Sequence, residues 1–456
     1  MKPKHFLATS SIGIILSFAP GITSCNSDID APNFPTENEK TVSMSETKAV
    51  SKADALDVAA IFNAGRFGGP VNRSSQNVET ITNQVGHPIA YVVNNDEGGW
   101  VIVSATTDYH PILAYSDSGT FDIQGIEKTG VSVWINEINS DIEASASFCN
   151  ELTTEISAEW YEFTSQFGAE TMASGLPTGN SPEAVKCRAR LKELNDAYYK
   201  DGWTFTTLPN VTGITLPNDV YTTADNLGTG YEYTIVGLKD KKEQSQVGPF
   251  LTTQWSQYGY ATNSPSGCVP VAIAQIMRFY QYPSYFEWYS MDNTEKSQSI
   301  RVLIDDIVRI LGMTDDISNN LEAIKAFNHY GYSATLKQHN NQDVINDLYL
   351  SRPIYMSGKD EKSSSGHAWV CDGLLTTNTE HKYYVEYLNI ENEYTNYGLT
   401  SLNNPSSCGY SSRNDFHMNW GDGGDQDGWY VNPTVYEGEK LSYNYVINRK
   451  NIYINR

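Results

Sequence analysis

Two neighbouring segments decide the fold of this chain: residues 254–258 read QWSQY, and residues 266–280 read SGCVPVAIAQIMRFY. The apolar residues of the second segment recur at helical spacing. Pro270 suits the first turn of a helix, and Pro283 marks its end because the residue before a proline is pushed out of the helical region. The pattern therefore predicts a largely buried helix with Cys268 at its N-terminus.

A cysteine at the start of a helix has two interpretations. The unsatisfied N–H groups and the helix dipole favour the thiolate of Cys268, which would make it a nucleophile that needs a base. Free cysteine is also among the most buried residue types, so Cys268 on its own could be a small core residue. Only the rest of the chain decides between the two.

Length and charge limit the classes of function. The chain has 456 residues, enough for two or three domains, with 31 Lys and Arg against 54 Asp and Glu and a net charge of -23. Nucleic acids and anionic membrane surfaces require a basic face on their partner. We therefore expect no nucleic-acid partner and no electrostatic membrane contact.

The N-terminus has the pattern of a targeting segment. A basic start and a short apolar run predict a signal peptide over residues 1–24. The sequence ITSC at residues 22–25 resembles the lipobox of bacterial lipoproteins, in which the signal is cut before a lipidated cysteine, here Cys25; the alternative is a plain signal peptide. Residues 25–47 read as a flexible tether. We expect a protein outside the cytoplasm, held at the outer membrane or cell surface by a lipid and released if maturation removes the tether.

Cysteine usage fits an oxidising compartment. Five cysteines remain after the lipobox, which is an odd number. Two disulfides and one free thiol would satisfy the count. The pairs Cys149–Cys187 and Cys371–Cys408 would leave Cys268 free, although spacing alone does not fix the pairing.

Three regions follow the tether. Residues 48–145 combine a helix with alternating strand patterns and contain no catalytic set, which predicts a small α+β binding or inhibitory domain. Residues 146–240 are interpreted as a connector, with an exposed charged loop at 239–242. Residues 241–456 place helices first and strands afterwards, which indicates an α+β domain with an antiparallel sheet.

The last region contains partners for the thiol. A catalytic thiol needs an imidazole as base and general acid, and the imidazole needs a partner on its other nitrogen. His367 begins an apolar strand, and Asn419 ends another. A glutamine side chain and the N–H of the nucleophile could stabilise the oxyanion. The chain order Gln254, Cys268, His367, Asn419 is that of the papain-like arrangement.

These motifs resemble the streptopain family of secreted bacterial cysteine peptidases. The matching stretches are QW at 254–255, GCV at 267–269, YP at 282–283, GHA at 366–368 and NWG at 419–421. Nearer the N-terminus, GGWVIVS at 98–104 and PILAY at 111–115 resemble the inhibitory propeptide of that family. Together the matches cover about residues 48–145 and 249–433.

The resemblance implies a papain-like cysteine endopeptidase with an inhibitory propeptide, which needs no cofactor or metal and acts on proteins or peptides. Cys268 would be the nucleophile and His367 its base and general acid. Gln254 would line the oxyanion hole, Asn419 would orient His367, and Trp420 would shield that pair from water. A long insert at about 374–415, where the family has a shorter turn, leaves substrate preference unassigned.

Some of the same residues have plainer interpretations. Trp255 and Trp420 could be ordinary core aromatics. His417 is a second histidine near the site, but strand alternation places it on the opposite face from Met418. The acidic turn at 422–427 lacks the ligand spacing of known calcium loops, so a solvated turn is favoured.

The sequence therefore predicts a lipid-anchored cysteine endopeptidase zymogen whose propeptide, residues 48–145, is its own inhibitor. Activation should cut the connector between about 200 and 248, with residues 222–246 as the exposed stretch. One alternative is a papain-like acyl transferase. The other is a surface binding lipoprotein with an inactive or permanently capped peptidase domain, attached to the membrane only through Cys25.

Overall fold

The computed structural model describes residues 49–67, 77–145, 156, 159–160, 163, 182–198, 203–209, 231–259, 267–294, 296–312, 320–359, 366–389, 394–396, 408–432 and 449–456. All of them belong to one compact unit, Ser45–Arg456. The predicted signal peptide, Cys25 and the tether lie outside the described residues. None of the described helices is long and apolar enough to cross a membrane.

Seven α-helices are described. Their bounds are α1 Lys52–Phe67, α2 Val131–Ser145, α3 Pro182–Tyr198, α4 Cys268–Tyr280, α5 Gln298–Leu311, α6 Asn320–His329 and α7 Asn341–Tyr349. Short 3₁₀ helices lie at Ile123–Lys128 and Trp288–Ser290.

The described strands form one antiparallel sheet. Their bounds are β1 Asn77–Thr82, β2 Pro88–Asn94, β3 Trp100–Ser104, β4 Ile112–Ser116, β5 Thr204–Pro209, β6 Tyr231–Val247, β7 Ser333–Gln338, β8 Ile354–Lys359, β9 Gly366–Asn389, β10 Tyr394–Asn396, β11 Cys408–Asn419, β12 Gly428–Val431 and β13 Lys450–Asn455. The order along the sheet is β1-β2-β3-β4-β12-β11-β9-β8-β13-β7, and β6 and β10 also pair with β9 while β5 pairs with β6. Helices combined with an antiparallel sheet confirm the predicted α+β class.

The N-terminal domain is a helix packed on a four-stranded meander. The predicted hairpin forms between β2 and β3, with Ala90 opposite Ser104. Gly99 in its turn has φ 84°, and a Cβ there would lie 2.7 Å from the carbonyl oxygen of Ser116, so only glycine fits. Alternating apolar residues of β2 and β3 bury one face against α1.

Strand pairing joins this domain to the C-terminal one. β4 pairs with β12, with Tyr115 opposite Trp429 and Ala114 opposite Tyr430. The indole Nε1 of Trp134 in α2 donates to the carbonyl oxygen of Val431 (3.1 Å). The two domains therefore share one continuous sheet.

Helix α4 is the buried helix that the sequence predicts. All ten residues from Cys268 to Met277 are buried, and they pack against α5, α6, β8 and β9. Gln281 ends the helix in the left-handed conformation (φ 48°). Its N-terminus therefore lies where the helical part meets the sheet.

The predicted loop at 239–242 is wrong. These residues belong to β6, which pairs with β9 from Tyr231 opposite Asn389 to Val247 opposite Leu374. Exposed polar side chains suit a solvent-facing strand as well as a loop, and the backbone hydrogen bonds to β9 decide between them. Part of the predicted activation stretch is therefore sheet, and residues 210–230 lie outside the described part of the chain.

The insert at about 374–415 lengthens two strands. β9 continues to Asn389 and β11 already begins at Cys408, so most of the described insert is an extension of the sheet. The extended part of β9 pairs with β6 along its other edge. The end of the predicted connector, from Tyr231, and the insert are thus paired with each other in the sheet.

The suggested Cys371–Cys408 disulfide is wrong. Cys371 is buried and free, as is Cys268. Cys371 lies opposite Met418 and Cys408 opposite Lys382. Ten residues of β11 separate those positions, about 34 Å of strand, whereas disulfide-bonded Cα atoms lie within about 7 Å. Cys149 lies outside the described residues.

Candidate active site

Cys268 occupies the first position of α4, and the backbone before it is held in place. Gly267 has φ 78°, a conformation that favours glycine. Its N–H donates to the carbonyl oxygen of Gln257 (3.0 Å). The cysteine itself is 7% exposed. A sharp glycine turn therefore presents the thiol from a rigid helix end.

The protonation state of Cys268 follows from its surroundings. Burial raises the pKa of the thiol above its ordinary value, and hydrogen bonds from the backbone N–H groups of Ala368, Cys268 and Val269 offset only part of this. The helix N-terminus thus favours the thiolate as the sequence predicts, but burial outweighs it. In this form of the chain the neutral thiol is the favoured state.

His367, in β9, lies near the N-terminus of α4. It lies opposite Gly358 of β8 and is half-buried. The next residue, Ala368, gives the backbone N–H that hydrogen-bonds Cys268. Strand β9 therefore brings the imidazole-bearing residue next to the N-terminus of α4, as the papain-like order requires.

Asn419 is buried but has different partners from the predicted one. Its Oδ1 accepts from Gln275 Nε2 (2.8 Å) and from the N–H of Gly421 (3.1 Å), and its Nδ2 donates to the carbonyl oxygen of Thr253 (2.8 Å). None of its hydrogen bonds reaches His367. In this form of the chain, Asn419 links β11 to α4 and to the segment before α4.

Gln275 is a site residue that we missed from the sequence. It is completely buried in α4, and its Oε1 accepts from the hydroxyl of Thr253 (2.8 Å). With Asn419 these residues form a closed ring of side-chain and backbone hydrogen bonds. The available signal was a glutamine on the apolar face of a buried helix, where a polar group must find partners.

The glutamine beside Cys268 is Gln257, and the structure does not support Gln254 in that place. Burial alternates strictly along residues 251–257, with Trp255 and Gln257 inside and Gln254 exposed. The backbone of Gln257 contacts both Gly267 and Gly421. Because a buried tryptophan defines the inner face, the alternation itself predicts Gln257, whereas the assignment of Gln254 came from the resemblance of residues 254–255 to the streptopain family.

Trp420 lies in an aromatic cluster under the N-terminal domain. Its ring packs on Trp369 with 5.3 Å between centroids and on Tyr430 with 5.1 Å. A Cβ on Gly130, the residue before α2, would lie 2.4 Å from Trp369 and 2.8 Å from Trp420. The first domain therefore contacts both tryptophans directly, and Trp420 is part of the core.

The segment before α2 also reaches Gln257. The side-chain Nε2 of Gln257 donates to the carbonyl oxygen of Lys128 (2.8 Å). Thr129 Oγ1 donates to Gln426 Oε1 (3.2 Å), and Gln426 Nε2 donates to the carbonyl oxygen of Asp122 (2.8 Å). Residues of the N-terminal domain thus hydrogen-bond Gln257, next to the start of α4, and Gln426, in the acidic turn.

The acidic turn at 422–427 is less solvated than predicted. Asp427 accepts a hydrogen bond from the N–H of Trp420 (2.8 Å), and burial raises the pKa of this carboxyl to about 7. Gly421, Gly423 and Gly424 have positive φ and make the tight turn. Asp427 therefore acts as a structural anchor for the strand end that carries Asn419.

Two family models match parts of this chain. The Spi protease inhibitor family matches residues 47–142, and the Peptidase C10 family matches residues 312–430. No curated protein gives a significant match. Among solved structures, the chain is similar to a mutant fragment of prointerpain A from Prevotella intermedia, with 13% identity, 83% of this chain and 98% of that chain covered, and a TM-score of 0.41.

The two family matches fall on the N-terminal and the C-terminal domain respectively. The inhibitor match covers α1, β1 to β4 and most of α2. The peptidase match contains His367 and Asn419 and begins after Cys268, whose place in the site rests on the geometry of α4. The chain is therefore a cysteine peptidase precursor that joins an inhibitor domain of the Spi type to a peptidase domain of the C10 family, the streptopain family.

Proposed function

We propose that this chain is the secreted, lipid-anchored zymogen of an endopeptidase that cuts proteins, with Cys268 as nucleophile and His367 as base and general acid. The observation that carries the proposal is the meeting of α4 and β9, where the N–H of Ala368 contacts the Cys268 thiol. No other buried free cysteine in the described residues lies at a helix N-terminus, because Cys371 lies within β9.

The reaction proceeds through an acyl-enzyme. His367 takes the thiol proton of Cys268, and the sulfur attacks the peptide carbonyl carbon. The imidazolium then protonates the leaving amine as the C–N bond breaks. Water, deprotonated by His367, attacks the thioester, and collapse of that intermediate releases the acid and returns the proton to the thiolate–imidazole pair.

Negative charge develops on the substrate carbonyl oxygen, and we assign two donors to it, the backbone N–H of Cys268 and the side-chain Nε2 of Gln257. Gln257 would then have the role that the resemblance gave to Gln254. Gln257 Nε2 already holds a carbonyl oxygen, that of Lys128. A substrate carbonyl would replace it after the inhibitor domain leaves.

Asn419 and Trp420 support the site. We propose that Asn419 turns its Oδ1 towards His367 in the mature enzyme, at the expense of its present bond from Gln275. Trp420 excludes water from the end of β11 by packing on Trp369 and Tyr430. Water exclusion strengthens the thiolate–imidazolium attraction.

Labelling with a cysteine-directed epoxide tests the catalytic proposal. After maturation, the wild-type enzyme should hydrolyse casein and bind one epoxide per chain at Cys268. Cys268→Ala should lose both, whereas Cys371→Ala, which removes the other described free thiol, should keep both. Casein hydrolysis by Cys268→Ala would refute the assignment, and transfer to an added amine without hydrolysis would favour the acyl transferase.

The anchoring proposal rests on the sequence of the first 25 residues. Cells that express the full chain should incorporate labelled palmitate into the precursor, and Cys25→Ala should abolish incorporation while leaving export intact. Because a single cysteine carries the lipid, the variant should appear in the soluble fraction. Export of Cys25→Ala in a labelled, membrane-bound form would contradict the proposal.

A further inference from the structure

The pairing of β9 and β11 contains a bulge next to the site. His417 lies opposite Gly373 and Met418 lies opposite Cys371, so Asp372 has no residue across from it. Bulges near active sites change the direction of side chains on the bulged strand. The bulge here turns the extra residue, Asp372, towards His417.

Asp372 is completely buried and uses both oxygens of its carboxylate. Oδ1 lies 2.6 Å from His417 Nδ1, and Oδ2 accepts from the N–H of Leu251 (2.7 Å). Its own carbonyl oxygen accepts from the N–H of Phe250 (3.0 Å). One residue of β9 thus binds β11 on one side and the segment before Trp255 on the other.

Both partners of the Asp372 carboxylate lie two residues from a site contact. Leu251 precedes Thr253, whose carbonyl oxygen accepts from Asn419 Nδ2, and His417 precedes Asn419 on β11. The Asp372 contacts and the Thr253–Asn419 bond therefore clamp the same two segments together. A shift in the Asp372 contacts is therefore passed on to the Thr253–Asn419 hydrogen bond, because only two residues separate the contacts on each segment.

The surroundings of His417 favour the imidazolium. Burial lowers the pKa of His417, but the carboxylates of Asp372 and Asp427 more than offset this, so the pKa lies above its ordinary value. The third neighbour is uncharged, the ring of Trp429 with 5.2 Å between centroids. A Cβ on Gly373 would lie 2.9 Å from the Cβ of His417, so glycine opposite the histidine leaves room for the pair.

We propose that Asp372 and His417 form a buried ion pair that positions the catalytic strand ends, holding Asn419 and residues 251–257 in register with Cys268. The pair acts through other residues and touches no substrate. This inference rests on the proposed function, since it concerns the geometry of that site. Partners that orient metal-ligating side chains typically contribute roughly 10- to 100-fold to affinity or activity, and we expect an effect of the same size here.

Steady-state kinetics of the matured enzyme test the pair. His417→Gln and Asp372→Asn should each lower kcat by roughly 10- to 100-fold with KM nearly unchanged at a temperature where both variants are folded. The double variant should lose no more than the worse single variant, because the two residues act as one unit. Asp343→Asn, which breaks the ion pair with Lys337 in the same domain, should leave kcat unchanged.

The outcomes separate the inference from the proposed function. An inactive wild-type enzyme would refute the function itself. An active wild type with unchanged kcat in both folded variants would refute the positioning pair alone, as would additive losses in the double variant.

A spectroscopic measurement covers the case in which a variant does not fold. In the Cys268→Ala precursor, the imidazole resonances of His417 should titrate with a midpoint above pH 6.5, the ordinary value for histidine. A neutral His417 ring at pH 6 would overturn the ion pair.

Discussion

The carbonyl oxygen of Lys128, in the inhibitor domain, accepts a 2.8 Å hydrogen bond from the side-chain Nε2 of Gln257, next to the catalytic helix. The inhibitor thus offers a backbone carbonyl to a donor that a substrate carbonyl would use. Lys128 ends a short 3₁₀ helix, and the main chain continues through Thr129 and Gly130 into α2. The main chain at residues 128–130 is therefore held by a helix on each side, the 3₁₀ helix before it and α2 after it.

The first prediction concerns the two glutamines. Gln257→Ala should lower kcat of the mature enzyme by about 10²- to 10³-fold, since it removes one donor from the oxyanion. Gln254→Ala is the matched control and should change kcat by less than about threefold, because its side chain is exposed. Chromogenic peptide hydrolysis after active-site titration gives both values. The reverse ranking would return the role to Gln254.

The second prediction concerns the fit of the inhibitor. Gly130→Ala places a methyl group against Trp369 and Trp420, and overpacking of this kind costs about 1–3 kcal/mol. The separated inhibitor domain should then bind the mature enzyme roughly 5- to 150-fold more weakly. Gly65→Ala is the control, because a Cβ at Gly65 meets nothing within 4 Å. Equal inhibition constants for the two variants would show that the tryptophans are not part of the inhibitory contact.

The third prediction places the activation cut. A protease must bind its substrate as an extended, unpaired strand, and residues 231–247 are paired with β9 along their length. The mature fragment should therefore begin before Tyr231 and keep β6. N-terminal sequencing of the autolysed wild-type enzyme decides this. A mature N-terminus inside β6 would mean that the strand opens before it is cut.

The fourth prediction concerns pH. Burial raises the pKa of Asp427 to about 7 in the folded chain, so the folded state binds the proton that the unfolded state releases near pH 4. Stability from this group is therefore lost as pH rises from about 4 to about 7. Asp427→Asn keeps the acceptor for the N–H of Trp420 and removes the charge.

Denaturant unfolding in a Cys268→Ala background measures that effect without autolysis. The free energy of unfolding should fall less between pH 5 and pH 7.5 in the Asp427→Asn variant than in its parent, and the variant should be the more stable of the two at pH 7.5. If the free energy of unfolding fell more steeply with pH in the variant than in its parent, the charged form of Asp427 would be stabilised by His417 more than it is destabilised by burial.

Local patterns predicted the elements of the site better than its connections. Helical spacing and Pro270 fixed α4, and apolar runs placed His367 and Asn419 on strands that do meet α4. Burial alternation from Trp255 would have chosen Gln257, two residues further along the chain. These features depend on neighbours within about seven residues, which a sequence displays directly.

Long-range pairing explains what was missed. Residues 239–242 are polar enough for a loop, and only their partner, the insert strand β9, makes them sheet. The suggested Cys371–Cys408 bridge failed for the same reason, because register along β11 separates the two cysteines. The orientation of Asp372 depends on a bulge between β9 and β11, and the residue pattern of neither strand predicts that bulge.

The pairing of β4 with β12 gives activation two separate stages. Cutting the connector ends the covalent link but leaves the antiparallel pairing of residues 114–115 with residues 429–430 in place. The product of cleavage is therefore a nicked, two-chain complex that is still inhibited. Its activity appears only on dilution or on digestion of the freed domain, because the effective concentration supplied by the linker is then gone. The lag before activity should accordingly lengthen with protein concentration if dissociation limits it, and shorten if digestion by neighbouring molecules does.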